Sequence, residues 1–270
     1  SLNDAPDARI FNNTIMKNLT TATAMTSNGQ PRPAGLSTSP NSNLLQATLP
    51  AGAPAFSNPV LFNNVWWDNR AGAWDMDSVS GIGLEGDPTG INYWDLGVTD
   101  GSADLAPLYS LMQTDWGATP HATNIVGQDP LVVDAYTTTL RIFPWRGNAN
   151  FVGANIVAND LPIDLIGDYH LTAPSPAIDV GTDSASGVDA PLGDFDDETR
   201  FWGFGFDMGA DEFGAYAASP GCLDFVEPAG VDVGDVMFIA SHWRQSSGPP
   251  YDCDGDGVIT LDEVRLRKLG

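Results

Sequence analysis

The sequence predicts a mainly β chain that winds as a parallel β-helix (a solenoid) and ends in a small α-helical module. Three observations carry this. Charged residues make up only 17% of the chain while Gly counts 29 and Pro 20, a mixture that suits short strands joined by turns and not a helical bundle. Ile10-Phe11-Asn12-Asn13-Thr14-Ile15-Met16-Lys17-Asn18 returns, type for type, as Leu61-Phe62-Asn63-Asn64-Val65-Trp66-Trp67-Asp68-Asn69, 51 positions later. Repetition of that kind signals stacked units. The third observation is the Asn pair inside the repeat. Rungs of a β-helix stack about 4.8 Å apart. Asn tolerates the left-handed conformation at a bend, and its amide can bond the equivalent Asn above and below.

At 270 residues the length fits one elongated domain plus a small one. Rung-like sequence starts by Ala8. Asn12, Asn13, Asn63 and Asn64 read as turn ladders in preference to a sugar site. Asn12 and Asn18 also sit in N-x-Thr sequons. If Asn12 points into a ladder, only Asn18 is open to a glycan. Thr20 to Asn58 is rich in Ser, Thr, Pro, Gly and Asn and reads as a long excursion with at least one short strand. The 51-residue spacing fits either two rungs or one rung with a large loop. Asp95 to Met112, His121 to Leu131 and Phe151 to Asp160 read as further rungs, with Asn155-Ile156-Val157-Ala158-Asn159 a weak echo of the repeat. Arg141 to Asn150 reads as a surface loop. Trp66, Trp67, Trp74, Trp94, Trp116 and Trp145 fall in this region; packing under loops is the first reading and stacking on sugar rings the second.

Next come Asp168-Tyr169-His170-Leu171, Ser175-Pro176-Ala177-Ile178-Asp179-Val180-Gly181, Asp194 to Arg200, and Asp207-Met208-Gly209-Ala210-Asp211-Glu212-Phe213. These four blocks, in this order, resemble the segment that closes many secreted bacterial right-handed parallel β-helices, the choice-of-anchor type. The resemblance departs at Asp197-Glu198, where a turn Gly is usual, and at Asp211, where Tyr is usual. It implies a right-handed β-helix over residues 1–213 with 168–213 as its closing segment. Asp179, Asp194, Asp196, Arg200, Asp207 and Glu212 form a charged set there. A buried Arg gripped by carboxylates through bidentate bonds would fix the end of the coil.

Residues 214–221 read as a small-residue linker, and residues 222–270 as a second module. Its loop Asp252-Cys253-Asp254-Gly255-Asp256-Gly257-Val258-Ile259-Thr260-Leu261-Asp262-Glu263 satisfies D-x-D-x-D-G-x5-E. Ca²⁺ takes six to eight oxygens, and such a loop supplies them from Asp252, Asp254, Asp256, the Val258 carbonyl, Thr260 and a bidentate Glu263. Gly257 permits the sharp turn. Upstream, Val236, Ile239, Ala240 and Trp243 recur at helical spacing after Asp235. Asp224, Asp232 and Asp235 keep three ligand positions of a degraded first loop, a weak second metal site. The pair of loops resembles a dockerin-type module. In two loops packed face to face, Cys222 and Cys253 come close enough for a disulfide, which an oxidising compartment would preserve.

The function classes narrow from charge and motif. Thirty-five acids against eleven Lys and Arg give a net charge of −24, which disfavours nucleic acid and anionic membranes. No apolar run is long enough to span a bilayer. The chain begins Ser1-Leu2-Asn3 without Met, which reads as a mature or cleaved product. Asp68, Arg70, Asp75, Asp77 and Asp95 are the acid-base candidates on the coil, as in polysaccharide-cleaving β-helices. His121, His170 and His242 are scattered and read as structural. No G-x-S-x-G, H-E-x-x-H or Walker pattern is present. The expectation is an extracellular or cell-surface structural or adhesive β-helix, stabilised by Ca²⁺, within a larger assembly or filament. Its partners would be other copies of itself or a cleaved N-terminal β-helix part. The alternative is a polysaccharide-binding or polysaccharide-degrading fragment with carbohydrate as its ligand.

Overall fold

A computed structural model describes residues 1–24, 27–75, 78–83, 89–135, 167–200 and 203–214, and the backbone alone of 139–144 and 155–160. It is mainly β. Among the described residues the only helix is Asn43–Gln46, a single turn whose Leu45 amide donates to the Ser42 side chain. No helix among them is long and apolar enough to cross a membrane.

The repeat read from sequence is the pairing register. Arg9–Phe11 lies parallel to Val60–Phe62, Thr14–Met16 to Val65–Trp67, and Leu19–Thr20 to Arg70–Ala71. In all three the partners are 51 residues apart, as are the bonded Asn13 and Asn64. The spacing is therefore one pass of chain with a large loop. Leu111–Met112 adds in parallel to Val65–Trp67, and Ile125–Val126 adds to Leu111–Met112. Four successive passes thus line up as one four-stranded parallel sheet, in chain order. A second column runs beside it: Leu2 bridges Thr38, and Leu36–Thr38 pairs with Leu96–Val98. The long excursion after Thr20 hence contributes a strand to the stack, as expected. Ser1 to Asp7 belongs to the first pass through Leu2.

Side chains alternate across these strands because the strand period is two. Leu61, Trp66, Leu96, Leu105 and Met112 point inward and are buried together, with Leu2, Ile10 and Ile15 packed against them. Their neighbours Val65 and Leu111 point outward. Met208, Ala177 and Leu171 of the later segment bury them on that side. Phe62 does the same on the next face, stacked on Phe11 at 4.9 Å and covered by Val188, Ala190 and Phe206. Residues 168–213 thus lie along the flank of the sheet and reach as far as the first pass. Asn63 exchanges bonds with Thr182 (2.7 and 2.9 Å), and Thr14 Oγ1 accepts from the Ala210 amide at 3.0 Å.

The turns between strands stack as well. Asn12, Asn63 and Tyr109 all have positive φ (52, 51 and 42°), as do Lys17 and Asp68 (57 and 51°). The next residue forms the ladder. The Asn13 amide and Nδ2 donate to Asn64 Oδ1 (3.1 and 3.2 Å), the Asn64 amide to Ser110 Oγ (3.2 Å), and the Ser110 amide to Asn124 Oδ1 (3.1 Å). Asn64 Nδ2 also donates to the carbonyls of Ile10 (2.8 Å) and Phe62 (2.9 Å). The two jobs foreseen for one Asn are thus divided between neighbours: the first takes the bend and the second carries the bonds.

Two sequence readings are corrected. Thr139–Pro144 pairs antiparallel with Asn155–Asp160, so that region is a hairpin. The echo Asn155 to Asn159 is no rung, and residues 141–144 are strand and no loop. A strand finds its nearest edge, and here that edge is local.

Asn64→Ala should cost about 2–4 kcal/mol, since it strips buried carbonyls and amides of partners worth about 1–3 kcal/mol each. Asn13→Ala, at the outer end of the ladder, should cost about 1 kcal/mol or less. Urea unfolding of both variants checks the ratio; equal losses would show that the ladder does not hold the turns.

Candidate functional site

The acid-base candidates fall into a belt along the second stacked turn. The register sets Lys17 over Asp68, with Nζ 3.3 Å from Oδ2. Arg70, two residues on, grips the same carboxylate with Nε at 2.5 Å and Nη2 at 2.9 Å. Its Nη1 donates to the Ile82 carbonyl at 3.0 Å. The hydrogen bond to Asp68 holds the Arg70 guanidinium above its ordinary value. Such a bidentate grip, with a second cation behind it, fixes a turn.

Asp95 is fully buried. Burial pushes its carboxyl up to about 6, against bonds from Asn69, Thr114 and Gln113 that pull it down. A carboxyl near 6 is what a general acid needs. Its surroundings give it another task. Oδ1 accepts from Asn69 Nδ2 (2.9 Å), and Oδ2 accepts from the amides of Gln113 (2.9 Å) and Thr114 (3.1 Å). Asp95 ends a second ladder, in which the Asn18 amide and Nδ2 donate to Asn69 Oδ1 (3.2 and 3.0 Å). Asp75 stands apart, accepting from the Ser78 amide at 2.8 Å. Asp77 lies outside the described residues.

The flank holds the second cluster. Arg200 is buried, and burial holds it below its ordinary value while nearby acids, Glu212 first, oppose the shift. The expected carboxylate grip is not its main use. Its guanidinium donates to the carbonyls of Ala210 (2.6 Å), Gly209 (3.2 Å), Gly193 (3.3 Å) and Asp211 (3.4 Å), with Glu212 Oε2 3.6 Å away. Asp207 accepts from the amides of Asp179 and Phe213, both at 2.7 Å. Burial, then the Glu212 charge, pushes it up to about 7. Asp194 takes the amides of Asp196, Glu198 and Glu212, and Asp179 those of Phe204 and Gly205. These carboxylates tie backbone to backbone.

His170 is the member that sequence reasoning left out of this set. Nδ1 meets Asp168 Oδ1 at 2.6 Å and Nε2 meets Asp196 Oδ2 at 2.5 Å. The bond to Asp168, then that to Asp196, pushes the imidazole up to about 9. The signal was available: Asp168 and His170 are two apart on one strand and so share a face. His121 bonds Thr123 within its own turn.

Trp66 is interior, and Trp67 and Trp74 are partly buried. Trp94 is buried with its Nε1 donating to the Leu96 carbonyl. Trp116 stacks on it, centroids 4.5 Å apart and planes 6° off parallel, and is 54% exposed. Asn12 is buried, and Asn18 Nδ2 already donates to Met16 O and Asn69 Oδ1, so a glycan at either sequon would break the turn.

Asp252, Asp254, Asp256, Val258, Thr260, Glu263, Asp224, Asp232, Asp235, Cys222, Cys253, His242 and Trp145 lie outside the described residues. Among those described, no group of three or more His, Cys, Asp or Glu is placed to hold a metal ion. No family model, curated protein or solved structure matches the chain.

The titrating groups set a pH profile. Asp95 and Asp207 keep protons, up to about 6 and about 7, that an unfolded carboxyl with a value of 3.8 has lost. Each therefore weakens the fold as pH rises from about 4 towards its folded value. His170, raised from 6.5 to about 9, stabilises fully below 6.5 and loses that contribution as pH passes 9. The melting midpoint should fall from pH 5 to pH 9, and His170→Gln should flatten the alkaline part. Calorimetry across that range decides; a midpoint that climbs with pH contradicts the assignment.

Proposed function

We propose that the stacked passes are rungs of a right-handed parallel β-helix, and that the chain is an extracellular or cell-surface structural protein working within a larger assembly. The observation that carries this is the pair of side-chain ladders, Asn13–Asn64–Ser110–Asn124 and Asn18–Asn69–Asp95. They use polar side chains to lock turn upon turn, as a rigid column requires. Asp68, Asp95 and Arg70, the groups that would serve an enzyme, are tied into the same turns. Handedness, the extracellular setting and the dockerin-like module at 222–270 rest on the motifs in the sequence. Residues 252–263 would bind one Ca²⁺, and Cys222 and Cys253 would be bonded.

Calcium at about 100 times its dissociation constant should stabilise the module by about 2.7 kcal/mol. Asp254→Ala with Glu263→Ala should abolish the calcium-dependent rise in its melting temperature, read by differential scanning calorimetry. A calcium response that survives both changes removes the metal site.

The second reading, carbohydrate binding, is favoured by Trp116, whose outer ring face is open while its inner face is held by Trp94. Acidic and neutral polysaccharides incubated with the chain separate the readings. The structural reading expects no cleavage products and no retention. Cleavage lost on Asp68→Ala would make the chain an enzyme, and retention lost on Trp116→Ala would make it a binding module.

A further inference from the structure

The outward face of the flank is apolar and acidic at once. Val132 pairs with Leu171, and both pack with Val65 and Leu111. Strand alternation turns Val133 and His170, one residue away in each strand, to the other side. Phe195, from the turn 192–198, lies against the His170 ring with centroids 4.9 Å apart. Val133, Phe195 and Leu192 are 53, 52 and 62% exposed. The turn that carries Leu192 and Phe195 is braced by its own backbone. Gly193 bridges Thr199, the Phe195 amide donates to the Ala210 carbonyl, and Asp194 Oδ1 accepts from the amides of Asp196 and Glu198.

Carboxylates rim these side chains. Asp196 and Asp197 are exposed, and Asp168 and Glu198 partly so. Burial first, then the charges of Asp194, Asp211 and Asp196, hold the Glu198 carboxyl above its ordinary value, the mark of crowded negative charge. His170 is the cation the structure places among them, and Asp168 and Asp196 take both its nitrogens. An apolar patch rimmed by charge of one sign suits a partner that interleaves apolar and cationic side chains. The chain carries such a run in Val264-Arg265-Leu266-Arg267-Lys268-Leu269, where three of its eleven Lys and Arg fall within four residues. These six lie outside the described residues. Phe213 packs on the same core as Val132 and Leu171, so the chain leaves the flank beside this surface. Exposed ion pairs contribute little each, and a free partner would hold on weakly. A segment tethered to the same chain gains an effective concentration of about millimolar.

We propose that the basic run 264–269 docks on the face made by Val133, His170, Leu192 and Phe195 of the same chain. Its apolar members cover Leu192 and Phe195, and Arg265, Arg267 and Lys268 meet Asp196, Asp197 and Glu198. The contact fastens residues 222–270 to the flank of the sheet and neutralises part of its charge. It requires neither an occupied Ca²⁺ loop nor a carbohydrate ligand.

Lys17 and Lys268 are the only lysines in the sequence, and Lys17 is paired with Asp68, so a carbodiimide cross-link reads the contact directly. The full 270-residue chain, treated at low salt, should join Lys268 to Asp196, Asp197 or Glu198 within a monomer, as identified by peptide mass spectrometry. The yield should fall about fivefold or more at about 0.5 M NaCl, where exposed charges are screened. Leu192→Ser with Phe195→Ser keeps every carboxylate and should lower the salt concentration at which the yield halves. Arg265→Gln with Arg267→Gln, which leaves the described fold untouched, should lower it too. Lys268 joined to other acids or to none overturns the proposal. So does a yield that salt does not reduce, or a halving point that either pair of substitutions leaves unmoved. Products that join isotope-labelled to unlabelled chains overturn it in favour of a second copy.

Discussion

Backbone groups at the turns between stacked strands are the constraint on which the described structure depends. A parallel sheet satisfies the amides and carbonyls of its strands, but a bend has no strand partner, and a buried unpaired group is costly. Here one residue with positive φ makes the bend, and the next reaches across to the adjacent pass. Once Asn64 is tied to Asn13 and to the carbonyls of Ile10 and Phe62, strand register is fixed on both sides of it. Trp66 must then point inward, and Val65 outward to meet Met208.

The same demand explains where the charge goes. A chain of net charge −24 has acids to spare for its surface, yet Asp95, Asp207, Asp211 and Glu212 are buried. Each accepts from backbone amides or stands beside Arg200. Burial raises the proton affinity of Asp95, Asp207 and Asp211, and backbone amides donate to the oxygens of each.

The flanking segment completes the packing of the stacked strands. Residues 168–213 cover the outward faces of the sheet as far as the first pass, through Thr14 and Asn63. They protect the sides of the column.

The repeat, the mainly β class, the parallel stacking and the Asn ladders were legible in the sequence, because strands stacked in parallel at a fixed offset write their register into the chain as periodic similarity. Ile10 and Leu61, or Asn13 and Asn64, look alike because they occupy one environment at successive heights. Other features were decided only by tertiary structure. Whether 51 residues make one pass or two depends on which strands pair, and the loop between them carries no record of that. The hairpin of Thr139–Pro144 and Asn155–Asp160 has the composition of the stacked strands and differs only in its partner. Asp95 has no local neighbour that marks it as a ladder end. Its role comes from Asn69 and from Gln113 and Thr114, which only the packed fold brings to it. Local sequence fixes what a residue can bond, and the fold decides which of those bonds it is offered.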